Sequence, residues 1–160
     1  MAMIFKSEAI GQGEAIPRAY TCEGQNISPP IVWDNLSKSA KSLVLIVDDP
    51  DSPDPKAPKM TYVHWVLYNI PANSKGLGAA IHEADLPRGT LQGKNDWGRV
   101  GYAGPCPPIG IHRYFFKLYA LDTVLPDLHE PTKAQVESKM QNHILEMAQF
   151  YGTYVKGKKH

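Results

Sequence analysis

Three stretches of the chain are apolar over the length of a strand and stop at residues that break strands. Ser42–Val47 (SLVLIV) ends at Asp48-Asp49-Pro50, Tyr62–Ile70 (YVHWVLYNI) ends at Pro71, and Tyr114–Leu121 (YFFKLYAL) ends at Asp122. Their β-branched and aromatic content and their flanking breakers predict β-strands. Met3–Phe5 and Ile31–Trp33 are shorter candidates of the same kind. A different period begins at Thr132. Thr132-Lys133-Ala134-Gln135 has the form of a capping box, in which threonine and glutamine side chains satisfy the amide donors that a helix start leaves unpaired. Val136, Met140, Ile144, Met147 and Tyr151 follow at helical spacing, which predicts a C-terminal helix with one apolar stripe against the core. Between Pro71 and Ile111 the pattern has little periodicity and many glycines. Loops this long are uncommon inside a compact domain and are frequently functional.

Composition adds that 14 prolines and 13 glycines are spread along the chain, as expected for turns joining strands. With 160 residues, no internal repeat and no low-complexity linker, the chain reads as one mainly β domain over residues 1–160. A net charge of +1 offers no field that would recruit nucleic acid or an anionic membrane. The tail Lys156–Lys159 reads as a solvated end. No apolar stretch approaches the roughly 20 residues needed to span a bilayer, so no membrane insertion is expected. The N-terminus lacks the features of a secretory signal, which points to the cytoplasm. In that reducing setting Cys22 and Cys106 are expected to be free thiols. The absence of any CxxC pair excludes the usual structural zinc site.

Candidate chemistry gathers at the strand ends. Val47–Pro55 (VDDPDSPDP) reads either as a solvated acidic turn or as a device that aims Asp49 from the end of its strand, with Pro50 and Pro53 stiffening the backbone. A calcium loop fails, because the positions that would hold glycine and a bidentate glutamate hold Asp54 and Met60. Strand alternation puts Tyr62, His64, Val66 and Tyr68 on one face, and His112, Tyr114, Phe116 and Leu118 on another. Each histidine alone reads as a satisfied core residue. Together, Asp49, His64 and His112 would make a small polar pocket with aromatic walls. The same trio could serve as an iron-binding facial triad, although the H-x-D/E spacing common to such sites does not occur. There is no GxSxG, Walker A or HExxH motif. Cys106 paired with His112 as a nucleophile is a remote alternative, since Pro105 and Pro107 cannot supply amides to an oxyanion.

Five strings occur in order: YTCEGQNISPPIVW (Tyr20–Trp33), LIVDDPDSP (Leu45–Pro53), VHWVLYNIP (Val63–Pro71), QGKNDWGRVGYAGPCPP (Gln92–Pro108) and HRYFFKLYALD (His112–Asp122). Together they resemble the phosphatidylethanolamine-binding protein family, in its bacterial Raf-kinase-inhibitor-like branch. The resemblance implies a PEBP-like fold of two antiparallel β-sheets with a few peripheral helices, and a cavity that accepts phosphate, phosphorylethanolamine or similar anions. It places the pocket aspartate on Asp49, with Pro53 closing the same motif, and the middle-strand histidine on His64. Pro107, Pro108, His112 and Tyr114 take further pocket roles, and the Cys106 amide becomes an anion donor. Two departures stand out: only Ile109-Gly110-Ile111 separates the proline pair from His112, and Lys59 stands where animal members carry an aromatic residue.

The leading expectation is therefore a non-catalytic binding protein for small phosphate-type anions, with no cofactor. Protonation of His64 or His112 would strengthen binding as pH falls through about 6.5. Two other functions fit the sequence. One is a regulator with a protein partner, a kinase or protease, that docks on Asp54–Met60 and Lys75–Asn95. The other is a metal-dependent enzyme built on Asp49, His64 and His112. A homodimer is compatible with either.

Overall fold

The computed structural model describes residues 2–157, so Lys158 and Lys159 of the basic tail lie outside the described residues. Two antiparallel sheets face each other. The smaller holds β1 (Ile4–Lys6), β2 (Ile31–Asp34) and β5 (Gly76–Leu77) in the order β1-β2-β5. The larger holds β3 (Ser42–Ser52), β4 (Met60–Pro71), β6 (Leu91–Gln92), β7 (Ile111–Leu121) and β8 (Ile144–Val155) in the order β6-β4-β3-β7-β8. One α-helix, α1 (Lys133–Met140), covers the outer side of β3 and β4.

The unbroken apolar run in β3 follows from its central position. Leu43, Leu45 and Val47 enter the core between the sheets, with Phe5, Trp33, Trp65, Phe116 and Phe150. Val44 and Ile46 turn the other way, onto Val136 and Met140 of α1. A strand covered on both faces has no polar side to alternate. For the same reason β3 does not stop at the aspartates. It continues to Ser52, and Asp48, Asp49 and Asp51 are all buried, so the solvated-turn reading of this segment is overturned.

The long C-terminal helix is also corrected. The capping box is present at Thr132 and Gln135, but the helix ends at Met140, and Asn142 adopts a φ of 69°. From Ile144 the chain runs antiparallel along the length of β7. Phe150 and Tyr154 turn into the core at a period of two, whereas Ile144 and Met147 are exposed. The helical spacing of Ile144, Met147 and Tyr151 was coincidental, and pairing with the open edge of β7 decided the outcome.

Strand register between β3 and β4 shifts where the site is built. Val47 lies opposite Trp65 and Asp48 opposite Val63, which leaves His64 as an extra residue in a β-bulge. The regular alternation of Tyr62, His64, Val66 and Tyr68 therefore does not hold. Val66 and Tyr68 pack on the helix side, while Tyr62 and His64 both turn toward His112 and Tyr114.

Candidate functional site

Asp49, Ser52, Tyr62, His64, Trp97, Cys106, Pro107, Pro108, His112 and Tyr114 enclose a cavity of about 290 Å³ where the ends of β3, β4 and β7 meet. The two histidines are held in different ways. His112 is fully buried, and its Nδ1 lies 2.5 Å from Asp49 Oδ2. Its Nε2 faces the carbonyls of Ile109 (2.8 Å) and Pro53 (3.1 Å). Both ring nitrogens are thus committed to protein oxygens, and one proton is shared between Nδ1 and the carboxylate. Asp49 in turn accepts the Asp51 N–H at 2.7 Å. Burial raises the Asp49 carboxyl above the usual carboxylate range, against the opposing pull of His112 and of the Asp51 amide.

His64 donates Nδ1–H to the Ala103 carbonyl at 2.6 Å, and the Ala103 N–H returns to the His64 carbonyl at 3.0 Å. Burial pushes its pKa down to about 4. The imidazole is therefore neutral near pH 7, with its proton on Nδ1. The Gly104 backbone also acts on the ring, and with the proton on Nδ1 the unprotonated Nε2 is an acceptor. Its ring sits edge-on to Tyr62, Trp97 and Tyr114, with centroids 5.1 to 5.6 Å away. Burial also raises the Tyr114 phenol, so that hydroxyl stays protonated.

Secondary contacts fix these walls. Asp51 receives Arg113 Nε and Nη2 and the Arg113 backbone N–H, each at 2.9 Å, which ties the end of β3 to the start of β7 beside the Asp49–His112 pair. Those bonds hold the Asp51 carboxyl below its ordinary range. Asp96 Oδ2 accepts the Val63 N–H at 2.7 Å and buried Asn95 accepts the Trp97 N–H at 2.9 Å, which docks the Trp97 loop on the bulge. Asp48, on the helix side of β3, pairs with Lys117 (3.0 Å) and Lys133 (2.7 Å) and takes no part in the cavity.

Cys22 and Cys106 form a disulfide, which corrects the expectation of two free thiols and removes Cys106 as a nucleophile. Among the described residues no three His, Cys, Asp or Glu side chains converge as a metal-holding group.

A family model described as phosphatidylethanolamine-binding protein matches residues 6–155. The chain belongs to the phosphatidylethanolamine-binding protein family. It is 49% identical to a UPF0098 protein of Methanothermobacter thermautotrophicus over 97% of this chain and 100% of that one. A crystal structure of a putative phosphatidylethanolamine-binding protein homologue, CT736 of Chlamydia trachomatis, superposes with a TM-score of 0.88 at 41% identity, covering 97% of this chain and 98% of that one. Escherichia coli YbcL, described as a member of the mammalian PEBP family, gives 0.86 at 30% identity, with 96% and 98% covered.

Within this PEBP-family fold, the structure brings together Asp49, His64, Cys106, Pro107, Pro108, His112 and Tyr114. Pro53 does not line the cavity; its carbonyl faces His112 instead. Lys59 is exposed and lies outside the lining. The short Ile109–Ile111 linker is used twice, through the Ile109 carbonyl and through Gly110. At Gly110, φ is 74° and an added Cβ would lie 3.1 Å from Pro55. Sequence reading missed Ser52, Tyr62 and Trp97. Tyr62 shares the His64 face and was within reach of alternation, but Trp97 lies in a loop without period and carried no local signal.

No helix among the described residues is long and apolar enough to cross a membrane.

Proposed function

We propose that this cavity binds a small phosphate monoester group without transforming it. The observation that carries the reading is the state of His64. A neutral imidazole with Nδ1–H committed to Ala103 presents an acceptor to the cavity. The other buried polar side is the Asp49–His112 pair, whose charges offset each other. An acceptor beside a carboxylate disfavours a phosphate dianion and favours a monoanion, whose P–OH can donate to His64 Nε2. The Cys106 N–H, which has no acceptor among the described residues, would donate to a phosphoryl oxygen. A cationic group on the same ligand would lie against Trp97 and Tyr62, whose rings stand 4.6 Å apart at the mouth.

This differs from the expectation of two cationic histidines. His112 has no nitrogen to spare, and His64 does not charge near pH 6.5. Binding still strengthens at low pH, but because the ligand gains a proton, with a second phosphate pKa near 6. The disulfide also bears on location, since such a bond favours a compartment that keeps disulfides oxidised, or a hyperthermophile's cytosol, over an ordinary reducing cytoplasm.

Titration of the protein with phosphorylethanolamine, followed through the His64 ring and Trp97 indole resonances, tests the reading. Saturable shifts at both residues are expected, and in His64→Leu the loss of the Trp97 shift. Shifts confined to surface lysines would overturn it.

A further inference from the structure

The cavity wall from Tyr102 to Pro108 is not part of either sheet. It is held against the loop Arg18–Asn26 by four links. Tyr102 Oη donates to the Tyr20 carbonyl (2.7 Å), the Gly104 N–H to Asn26 Oδ1 (2.8 Å), and the Cys22 N–H to the Pro105 carbonyl (3.1 Å). The fourth link is the Cys22–Cys106 disulfide. The two packed backbones leave no slack at Gly104, where an added Cβ would lie 2.2 Å from the Tyr20 carbonyl oxygen. The same wall carries Ala103, which fixes the His64 tautomer, and Cys106, Pro107 and Pro108, which line the cavity. The covalent link therefore sits one residue from the cavity prolines and three from the carbonyl that holds the histidine.

The two half-cystines differ in exposure. Cys22 is exposed in its loop, while Cys106 is half-buried behind it. A thiolate approaching from solvent reaches Cys22 first, and access selects which sulfur is attacked.

We propose that the Cys22–Cys106 disulfide is a thiol-exchange site for a dithiol reductant, and that its redox state sets the conformation of the His64 wall and the affinity of the cavity. In the first step a thiolate of the reductant bonds to Cys22 Sγ. The S–S bond breaks, and its electron pair leaves on Cys106 Sγ, which takes up a proton. The second thiol of the reductant then displaces Cys22, so the reductant is oxidised to its disulfide and the protein gains two electrons and two protons. The wall keeps its three hydrogen bonds but loses its tether, and the Ala103 clamp on His64 loosens. The affinity part of the proposal rests on the cavity being a ligand site, whereas the exchange and the wall do not.

The experiment treats the folded protein with dithiothreitol, alkylates with iodoacetamide and maps the products. In parallel, an excess of oxidised and reduced glutathione traps the mixed disulfide. Both cysteines should alkylate while circular dichroism stays native, and glutathione should be found on Cys22 rather than Cys106. The His64 resonances should titrate at least one pH unit higher in the reduced protein than in the oxidised one. Phosphorylethanolamine affinity should fall about tenfold on reduction. The double variant Cys22→Ser/Cys106→Ser should match the reduced protein even under oxidant. The proposal is overturned if reduction requires denaturant, if it unfolds the chain, if glutathione is found on Cys106, or if His64 titrates identically in both states. Should the oxidised protein bind no phosphate monoester at all, the cavity reading fails alone, and the exchange site is still judged by the glutathione and His64 results.

Discussion

His112 Nδ1 and Asp49 Oδ2 lie 2.5 Å apart on neighbouring strands, both groups almost wholly buried. With Nε2 also held by two carbonyls, the pair is a structural element of the cavity floor before it is anything else. Removing one partner of such a buried pair strands the other. Asp49→Ala should cost about 3–5 kcal/mol in urea denaturation. Asp49→Asn keeps a hydrogen-bonding partner for Nδ1, its amide donating where the carboxylate shared a proton, and should cost clearly less. Equal losses for the two variants would mean that the pair contributes by packing alone.

His64 makes stability depend on pH in a defined window. Its folded pKa is about 4, against about 6.5 unfolded, so between these values the unfolded chain binds the extra proton. Stability should therefore rise from pH 4 to about 6.5 and then level off, with this residue contributing about 3 kcal/mol across the span. Denaturation midpoints of the parent and His64→Gln over pH 4–7 check this. The variant should show a flatter profile, and parallel profiles would contradict the assignment.

The disulfide closes a long loop, its cysteines lying 84 positions apart. On chain-entropy grounds its loss should cost about 4–5 kcal/mol, measurable by denaturant titration of Cys22→Ser/Cys106→Ser beside the parent. A change under about 1 kcal/mol would show that residual structure in the denatured chain already restricts this loop.

Trp97 stands half out of the cavity, edge-on to Tyr62 and His64. If it receives the cationic end of a ligand, Trp97→Ala should weaken phosphorylethanolamine about three- to tenfold and leave methyl phosphate nearly unchanged. Competition calorimetry with the two ligands separates these outcomes. Equal weakening of both would assign Trp97 to closing the cavity rather than to choosing its ligand.

Much of this architecture could be read from the chain, and what could not has physical causes. Strands β3 and β4 announced themselves because central strands covered on both faces must be apolar throughout, and β7 through its aromatic residues, whose burial alternates along the strand. The acidic end of β3 misled, because burial of Asp49 and Asp51 depends on His112 and Arg113, more than 60 positions away. Strand β8 misled for the opposite reason: its residues fit two periods, and only the edge of β7 selects between them. The site trio was visible as a carboxylate at a strand end, a histidine within a neighbouring strand and a histidine after a rigid proline pair, and the ordered strings supplied its grouping. The bulge at His64 is a matter of register between two strands, so alternation within one strand could not show it. The disulfide likewise joins two segments whose proximity no local pattern encodes.

At the centre of this reading, a neutral His64 accepts a hydrogen bond from the P–OH of a phosphate monoanion. Calorimetric titration of phosphorylethanolamine and of sulfate between pH 5 and pH 8 tests it most directly. Phosphorylethanolamine affinity should be flat below about pH 6 and fall toward tenfold per unit above it, following the ligand's second ionisation. Sulfate, which carries no proton in this range, should bind weakly throughout. A phosphorylethanolamine affinity independent of pH, or sulfate binding as tightly as the monoester, would contradict the account.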